Sequence, residues 1–379
     1  MTDYYEKSLN VHKKLQGKLE IKSKLPVTNK EELSVAYTPG VAAVSNLLAK
    51  EPQAAYDYSI KGNTIAVVSD GSAVLGLGNI GPLGALPVME GKAVLFKEFG
   101  GVNAVPIVLD TQDTEEIIKI VKSIAPTFAG INLEDISAPR CFEIEERLKA
   151  ELNIPVFHDD QHGTAIVTLA GLVNALKVVG KNIEDVKIVI SGVGAAGVAI
   201  AKLLKQYGAK RIVMVDSRGV INSNRQELPQ YKKDLLNYLE YDERESVTLE
   251  QAMKNADVFI GVSVAGIVSP QMVENMNPDP IIMAMANPTP EIMPEKAYAA
   301  GAKVVATGRS DYPNQINNVL AFPGVFKGAI KNRVRQITDK MKLEAALALA
   351  DLVKDPVPEK IIPDPFDKRV ADVIASVIK

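Results

Sequence analysis

Two pairs of adjacent acidic residues follow apolar runs that are expected to form strands. Glu134-Asp135 comes after the run 128–133, and Asp159-Asp160 comes after the run 154–157. Ligands bind at the carboxyl ends of strands in open α/β sheets, so two neighbouring strands would bring four carboxylates together. Carboxylates so close repel one another unless a cation is present, and their oxygens suit Mg²⁺ or Mn²⁺ in an octahedral site completed by water and a substrate oxygen. The pattern predicts a divalent metal site.

A second interpretation of the same acids is structural. Aspartate is a common N-cap and is stabilised by the helix dipole, so Asp135 and Asp160 would then simply begin the helices that follow them. Spacing alone leaves the two interpretations equally open. His158 and His162 flank the second pair, but the chain has only 3 His and 1 Cys, too few for a typical zinc ligand set. We expect both histidines to be structural residues around the site.

The segment Gly192-Val193-Gly194-Ala195-Ala196-Gly197 is a G-x-G-x-x-G motif between an apolar strand and a helix. In that context the glycines form a tight turn, and the helix N-terminus faces the pyrophosphate of a dinucleotide. Asp216 ends the next strand about 20 residues later, where a carboxylate accepts a hydrogen bond from the ribose 2′-OH. This favours NAD over NADP. NADP stays open as a cofactor, because Arg218 lies close enough in sequence to hold a 2′-phosphate.

The elements that must position these residues alternate between strands and helices, which is typical of parallel sheets. The predicted strands cover residues 104–109, 128–133, 154–157, 186–191, 211–215, 257–262, 280–286 and 303–307. The predicted helices cover residues 114–125, a segment opened by Pro139, 163–179, 195–207 and a closing segment after the Pro-rich stretch 355–365. The fold class is therefore α/β with two domains, an N-terminal α/β domain (1–160) and a Rossmann-type doubly wound dinucleotide-binding domain (161–379). The uncharged segment 71–89 is predicted to be a loop and a packed glycine-rich turn.

Composition narrows the class of protein further. The 379 residues carry 43 Lys+Arg and 46 Asp+Glu, a formal net charge of −3, and no basic cluster of the kind that binds nucleic acid stands out. The single Cys141 excludes an internal disulfide framework and fits a reducing cytoplasm. The first residues show no apolar segment typical of a secretory signal. We expect a cytoplasmic protein that binds a small molecule and neither nucleic acid nor a membrane.

Taken together, several motifs resemble those of the short bacterial and archaeal malic enzymes over nearly the whole chain. Tyr37 and Lys92 are uninformative alone, since a tyrosine usually packs and a lysine is usually a solvated charge. The matching segments are Tyr37-Thr38-Pro39-Gly40-Val41, Asp70-Gly71 with Leu75-Gly76-Leu77-Gly78-Asn79-Ile80-Gly81-Pro82, Glu90-Gly91-Lys92, Asn132-Leu133-Glu134-Asp135, Phe157-His158-Asp159-Asp160-Gln161-His162-Gly163-Thr164-Ala165, Ala286-Asn287-Pro288-Thr289, Asn317-Asn318-Val319 and Phe322-Pro323-Gly324.

The resemblance implies oxidative decarboxylation of L-malate to pyruvate and CO₂, with NAD or NADP and Mg²⁺ or Mn²⁺. By position it implies that Lys92 is the general base, that Asp159 orients or tunes it, and that Tyr37 is the general acid. The implied metal ligands are Glu134, Asp135 and Asp160, and the implied contacts to malate or the cofactor are Lys92, Thr164, Asn287, Asn317 and Asn318. The resemblance also implies a homodimer or larger homo-oligomer, in which Tyr37 is expected to act across the subunit interface.

One position departs from the family. Longer malic enzymes carry an Arg that holds a malate carboxylate just after the Asp-Gly, whereas this chain reads Ser72-Ala73-Val74. Ser72, backbone N–H groups of residues 76–78 or a neighbouring subunit are candidates for that role. At this length we expect no fused acetyltransferase-like domain. Two alternatives remain: a malolactic-type enzyme that releases lactate, and a catalytically silent NADH-sensing protein.

Overall fold

The computed structural model describes residues 4–74, 76–239 and 247–379. The α-helices are α1 (Tyr4–Leu15), α2 (Lys30–Ala36), α3 (Val41–Lys50), α4 (Ala55–Tyr58), α5 (Gly81–Gly100), α6 (Thr114–Ile124), α7 (Arg140–Glu151), α8 (Asp159–Val179), α9 (Ala195–Tyr207), α10 (Gln230–Leu235), α11 (Leu249–Met253), α12 (Pro270–Glu274), α13 (Pro294–Ala299), α14 (Phe322–Lys331), α15 (Asp339–Ala350) and α16 (Val370–Val377). The strands are β1 (Thr64–Ser69), β2 (Asn103–Val108), β3 (Gly130–Leu133), β4 (Val156–His158), β5 (Lys187–Ser191), β6 (Arg211–Asp216), β7 (Gly219–Val220), β8 (Val258–Gly261), β9 (Ile281–Ala284) and β10 (Val304–Thr307).

The strands form two sheets. The first has the order β2-β1-β3-β4 and is wholly parallel, and the second has the order β10-β9-β8-β5-β6-β7. Among the strands of the described residues, β7 alone is antiparallel to its neighbour. Helices cover both faces of each sheet, as parallel strands joined by helical crossovers require. The predicted two-domain α/β fold with a Rossmann-type sheet is confirmed.

The sequence interpretation missed the central strand of the first sheet and much of one helix. β1 lies between β2 and β3, although no strand was predicted before residue 104. The loop predicted for residues 71–89 is wrong from Gly81 onward, because this part begins α5. Pro82 stands in the first turn, where its missing N–H costs nothing, and the buried Ala85, Met89 and Ala93 show helical spacing. Glycine and proline had hidden that spacing.

Alternate residues of each central strand face different layers of the core. Ile65 and Val67 of β1 pack into a cluster that also contains the apolar side of α8 and the second sheet, so one core layer joins the two domains. Ala66 and Val68 face a separate cluster formed by α6 and α7. A third cluster covers the other face of the second sheet. Both sheets therefore contribute to one shared core layer.

The long helix α8 crosses the predicted domain boundary. It begins at Asp159, four residues before the predicted start at Gly163, and continues to Val179. By length and composition it is apolar enough to cross a membrane, but 72% of its apolar window is buried within the protein. A core helix passes the same test, so this is weak evidence for a membrane span. The division at residue 160 remains a prediction.

The N-terminal segment differs from the rest of the described chain. None of the residues from 4 to 63 is buried, and helices α1 to α4 contribute nothing to the three core clusters. Large apolar side chains are exposed along it, including Leu9, Ile21, Leu33, Val35 and Tyr37. Exposed apolar surface on this scale is typical of an interface.

Candidate active site

Three carboxylates meet where β3 and β4 end. Glu134 and Asp135 follow β3, Asp160 lies in the first turn of α8 directly after β4, and the two strands are neighbours. One carboxylate oxygen of each lies within 4.8 Å of those of the other two. The backbone N–H of Asp135 donates to Asp160 Oδ2 at 2.8 Å, which ties the two strand ends together.

These oxygens fit a hard divalent cation. Asp135 Oδ2 is buried and has no hydrogen-bond partner among the described residues. Burial and the neighbouring acids raise the pKa of Asp135 to about 9, and burial, partly offset by Lys92, raises the pKa of Asp160 to about 6. A buried carboxylate without a partner is costly, whereas Mg²⁺ or Mn²⁺ would use it as a ligand. The residues present therefore suit such an ion.

The helix-start interpretation is wrong for Asp135, whereas Asp160 does lie in the first turn of α8, although neither acid is an N-cap. The N-cap of α7 is Pro139, five residues after the acid pair's first member, and the N-cap of α8 is His158. Asp135 instead occupies a left-handed turn with φ of 55°. The turn therefore sets the direction of the Asp135 side chain, which caps no helix.

Lys92 of α5 lies beside the three carboxylates. Its Nζ is 2.6 Å from Asp159 Oδ2 and 2.8 Å from Glu134 Oε1, and the side chain is 8% exposed. The ammonium also lies 4.2 Å from the centre of the Phe322 ring. Burial alone would lower the pKa of Lys92, but the charges of Asp159 and Glu134 outweigh it and raise the pKa above its usual value. Lys92 therefore stays protonated unless another positive charge offsets the negative charges of Asp159 and Glu134.

Asp159 is enclosed by its own helix. Burial raises its pKa to about 7, against the opposing effect of Lys92. A Cβ at Gly163, one turn later, would lie 1.8 Å from Asp159 Oδ1, so only glycine leaves room for this carboxylate to face Lys92. Asn132 supports the other partner of Lys92, because its Nδ2 donates to Glu134 Oε2 at 2.8 Å.

The glycine motif has the geometry of a dinucleotide turn. Gly192 follows β5 with φ of 114°, a conformation that favours glycine. A Cβ at Gly197 would lie 2.0 Å from Gly192 O, whereas one at Gly194 would meet nothing within 4 Å. Gly197 is thus needed for helix–strand packing, and Gly194 leaves open the space where a pyrophosphate approaches the N-terminus of α9.

The two glycines are expected to respond differently to alanine. Gly197→Ala should lower the free energy of unfolding by about 1–3 kcal/mol through overpacking and weaken ADP-ribose binding as well. Gly194→Ala should leave the thermal midpoint Tm nearly unchanged and weaken only the binding. Calorimetry of both variants checks this, and an equal loss of Tm in the two would contradict it.

A cavity of about 430 Å³ joins the glycine motif to the acidic cluster. Asp160 of the acidic cluster and Ala196 of the glycine motif both line it. It also brings together four residues that the sequence analysis assigned to cofactor or substrate: Thr164, Asn287, Asn317 and Asn318. If the pyrophosphate of a dinucleotide binds at the N-terminus of α9, its nicotinamide would share this cavity with a ligand of the acidic cluster.

Two protein-family models match most of the chain. One, described as malic enzyme, N-terminal domain, matches residues 16–149. The other, described as malic enzyme, NAD binding domain, matches residues 161–377. The chain belongs to the malic enzyme family. The resemblance seen in the sequence motifs is confirmed.

Individual malic enzymes are similar over almost the full length. The bifunctional malic/malolactic enzyme of Bacillus subtilis is 56% identical over 98% of this chain and 92% of its own. The NADP-dependent malic enzyme of Halomonas elongata is 46% identical over 100% of this chain and 93% of its own. Among solved structures, the NAD-dependent malic enzyme of Thermotoga maritima superposes with a TM-score of 0.95 at 52% identity, covering 98% of both chains.

Within this malic enzyme, Tyr37 is the predicted catalytic residue that makes no hydrogen bond to the others among the described residues. It lies between α2 and α3 with 68% of its surface exposed. No hydrogen bond among the described residues joins it to Lys92 or Asp159. The remaining predicted catalytic and metal residues meet in one cluster.

The segment that lacks the malate-binding Arg of longer malic enzymes is internally bonded. The Ser72 hydroxyl donates to Asp70 Oδ1 at 2.5 Å and accepts from the Ser137 N–H at 2.9 Å. Arg140 Nη2 also reaches it at 3.0 Å and lies 2.8 Å from Asp70 Oδ2. Ser72 is therefore engaged, and the backbone of residues 76–78 or a second subunit remains as a candidate carboxylate binder.

Phe322, Gly163 and Asn132 are site residues to which the sequence analysis gave no role. All three stand inside motifs that matched the malic enzyme family, and this was the signal that could have found them. Their function depends on packing against Lys92, Asp159 and Glu134, which motif spacing does not reveal.

Proposed function

We propose that the protein converts L-malate to pyruvate and CO₂ by oxidative decarboxylation, with NAD or NADP and a divalent cation. The observation that carries this proposal is the buried Lys92 between Asp159 and Glu134, beside a three-carboxylate site whose Asp160 lines the cavity at the glycine motif. Oxidation of an alcohol needs a proton acceptor, and decarboxylation of the resulting keto acid needs an electron sink. This cluster supports both.

The residues that would hold the metal are Glu134, Asp135 and Asp160, and those that would hold the dinucleotide are the glycine motif and Thr164. A divalent cation, when bound, supplies positive charge that polarises the C2 oxygen of malate and opposes the field keeping the proton on Lys92. NAD or NADP, when bound, supplies the acceptor for the C2 hydrogen and its electron pair.

Lys92 takes the proton of the C2 hydroxyl as malate is oxidised to oxaloacetate, and Asp159 keeps its Nζ in place. Loss of the C4 carboxylate as CO₂ leaves its bonding electrons in enolpyruvate. Tyr37 then donates a proton to C3, which gives pyruvate. Asn287, Asn317 and Asn318, which line the cavity, position malate or the nicotinamide ribose.

The test combines purified protein, L-malate, Mn²⁺ and either NAD or NADP, with absorbance of the reduced nicotinamide and assays of pyruvate and lactate. Reduced cofactor and pyruvate should rise together and stop when EDTA is added. Lactate without net cofactor reduction would support the malolactic alternative, which the similarity to the Bacillus subtilis enzyme favours as the second candidate. Cofactor binding without turnover would support the silent sensor and overturn the proposal.

We also propose that the N-terminal segment completes the site of a second copy of this chain. Its side chains are unburied from residue 4 to 63, and its apolar residues need a partner surface. Tyr37 belongs to this segment, whereas Lys92 belongs to the buried cluster. Since a two-fold dimer places the same segment on both partners, each Tyr37 would serve the other subunit.

We propose a cytoplasmic location as well. The thiol of Cys141 is buried and free, which fits a reducing compartment.

Mixing inactive subunits tests the shared site. Tyr37→Phe and Lys92→Ala proteins, unfolded and refolded together in equal amounts, should recover about a quarter of the wild-type activity, because half of the dimers are mixed and each carries one intact site. Each variant refolded alone is the control. Activity no higher than the sum of the two controls would show that each subunit is self-sufficient.

A further inference from the structure

Glu291 is a buried acid to which the proposed reaction gives no role. The residue is 0% exposed, and its side chain accepts hydrogen bonds from N–H and O–H groups of the described residues. A carboxylate is costly to bury unless such bonds satisfy it. The groups that donate to Glu291 therefore show what this burial achieves.

The carboxylate joins two loops at one edge of the second sheet. Glu291 Oε1 accepts from the Ser263 N–H at 2.9 Å and from the Ser263 hydroxyl at 3.3 Å. Oε2 accepts from the Ala286 N–H at 3.0 Å. Ser263 follows β8 and Ala286 follows β9, and these two strands are paired. Because both oxygens accept from N–H groups, a carboxylate fits this place and a side-chain amide does not.

The hydrogen bonds extend to a third strand. Ser191 is the last residue of β5, which pairs with β8, and its Oγ lies 3.1 Å from Ser263 Oγ. The next residue is Gly192, the first glycine of the dinucleotide motif. Glu291 is thus connected to the carboxyl ends of β5, β8 and β9, the edge at which a dinucleotide binds in this fold.

The joined loops line the cavity between the glycine motif and the acidic cluster. Ser263 and Asn287 are both lining residues, and Asn287 directly follows the residue that donates to Oε2. Two glycines leave room for this arrangement. A Cβ at Gly261 would lie 2.3 Å from Glu291 Cδ, and a Cβ at Gly308 would lie 2.4 Å from Asn287 Nδ2. The acid and the amide therefore lie in close-fitting places beside the cavity.

We propose that Glu291 is a positioning residue for the half of the dinucleotide that extends beyond the pyrophosphate. It holds the loops after β8 and β9 in place before the cofactor arrives, so that binding need not order them. Glu291 is not among the residues that line the cavity and acts through Ser263 and Asn287. This deepens the proposed function and rests on it, because that function places the nicotinamide in the cavity.

Two probes separate the halves of the cofactor in titration calorimetry with the full chain. NADH occupies both halves, whereas ADP lacks the nicotinamide riboside. Glu291→Gln keeps the size of the side chain but turns one acceptor into a donor that faces an N–H. We expect it to weaken NADH by at least about tenfold, the effect of losing a hydrogen bond to a charged group, and to leave ADP nearly unchanged. The Mn²⁺-dependent rise in Tm should persist, since the acidic cluster is intact.

A second buried residue controls for lost stability. Asn174 is 0% exposed and donates to Ala350 O at 2.9 Å and to Ile361 O at 3.0 Å, and it does not line the cavity. Asn174→Ala should lower Tm, because two buried carbonyls lose their donor, and should leave the Kd of NADH unchanged.

Ser191 tests the hydrogen-bonded chain without altering Glu291. Its side chain does not line the cavity, so Ser191→Ala removes a link and no lining group. We expect Ser191→Ala to weaken NADH by about two- to tenfold, the range for one neutral hydrogen bond. Adding it to Ser263→Ala should cause little further loss, because residues of one network do not act additively.

Several outcomes would overturn the proposal. Unchanged NADH binding by Glu291→Gln, or equal weakening of NADH and ADP, would show that the acid does not position the nicotinamide half. Weakening of NADH by Asn174→Ala to the same extent would trace the effect to stability. If Glu291→Gln does not fold, unchanged NADH binding by Ser191→Ala decides against the proposal. Absence of malate turnover with these binding shifts intact would refute the proposed reaction and leave the role of Glu291 standing.

Discussion

Lys92→Ala is expected to lower kcat/KM for malate oxidation by about 10²–10⁴-fold, the usual contribution of a general base. Its Nζ is the one cation in contact with both Asp159 and Glu134 among the described residues, so no neighbouring base replaces it. Lys92→Arg should be equally inactive, because a guanidinium keeps the positive charge but does not release its proton near neutral pH. Initial rates with saturating cofactor and Mn²⁺ measure the loss.

The arginine variant also controls for folding. It retains a cation among the buried acids, which would otherwise repel one another, and it should bind NADH as the wild type does. Lys97→Ala, five residues later on the same helix and exposed, is the matched control and should keep full activity. Activity of Lys92→Arg within a few-fold of the wild type would exclude Lys92 as the base.

Removal of the divalent cation is expected to abolish turnover and to lower thermal stability together. The three carboxylates lie within 4.8 Å of one another in the folded protein, and unfolding separates them. An ion that binds all three therefore stabilises the folded state. At a metal concentration of 100 times Kd the gain is about 2.7 kcal/mol. Scanning calorimetry of EDTA-treated protein, before and after Mn²⁺ is restored, should show Tm and activity returning in parallel.

The same experiment with Asp135→Asn locates the ion. This change should remove the Mn²⁺-dependent rise in Tm without lowering the Tm of the metal-free protein, because asparagine also tolerates the left-handed turn of Asp135 and has nearly the same size as the buried acid that it replaces. Asp110→Asn, an exposed acid near the end of β2, should retain the full metal response. A normal response in Asp135→Asn would place the cation elsewhere.

Local patterns sufficed for much of the second domain. The predicted helix 195–207 agrees with α9, and the strand before it differs from β5 by one residue at its start. The glycine motif, the apolar run and the amphipathic helix lie next to one another in sequence, so neighbouring residues determine the turn. In the first domain neither β1 nor α5 was predicted. Helix α5 contains glycine and proline, and its helical spacing becomes visible only once its buried residues are known.

The sequence also predicted correctly that the acid pairs meet. Strand polarity and order place Glu134, Asp135 and Asp160 at one sheet edge, and this follows from the general geometry of parallel strands. The role of Lys92 could be taken only from resemblance. Its helix was not predicted, and a lysine is usually solvated.

The sequence by itself determined the family, the alternation of strands and helices, the dinucleotide turn and the meeting of acids at the strand ends. These depend on residues close in the chain or on rules that hold for every parallel sheet. The tertiary structure alone decided that Lys92 is buried 2.6 Å from Asp159, that Tyr37 is exposed, and that Asp216 is held by Arg225 and Lys232. Each of these depends on the charge and burial that distant segments bring to one side chain, and no local pattern encodes that field.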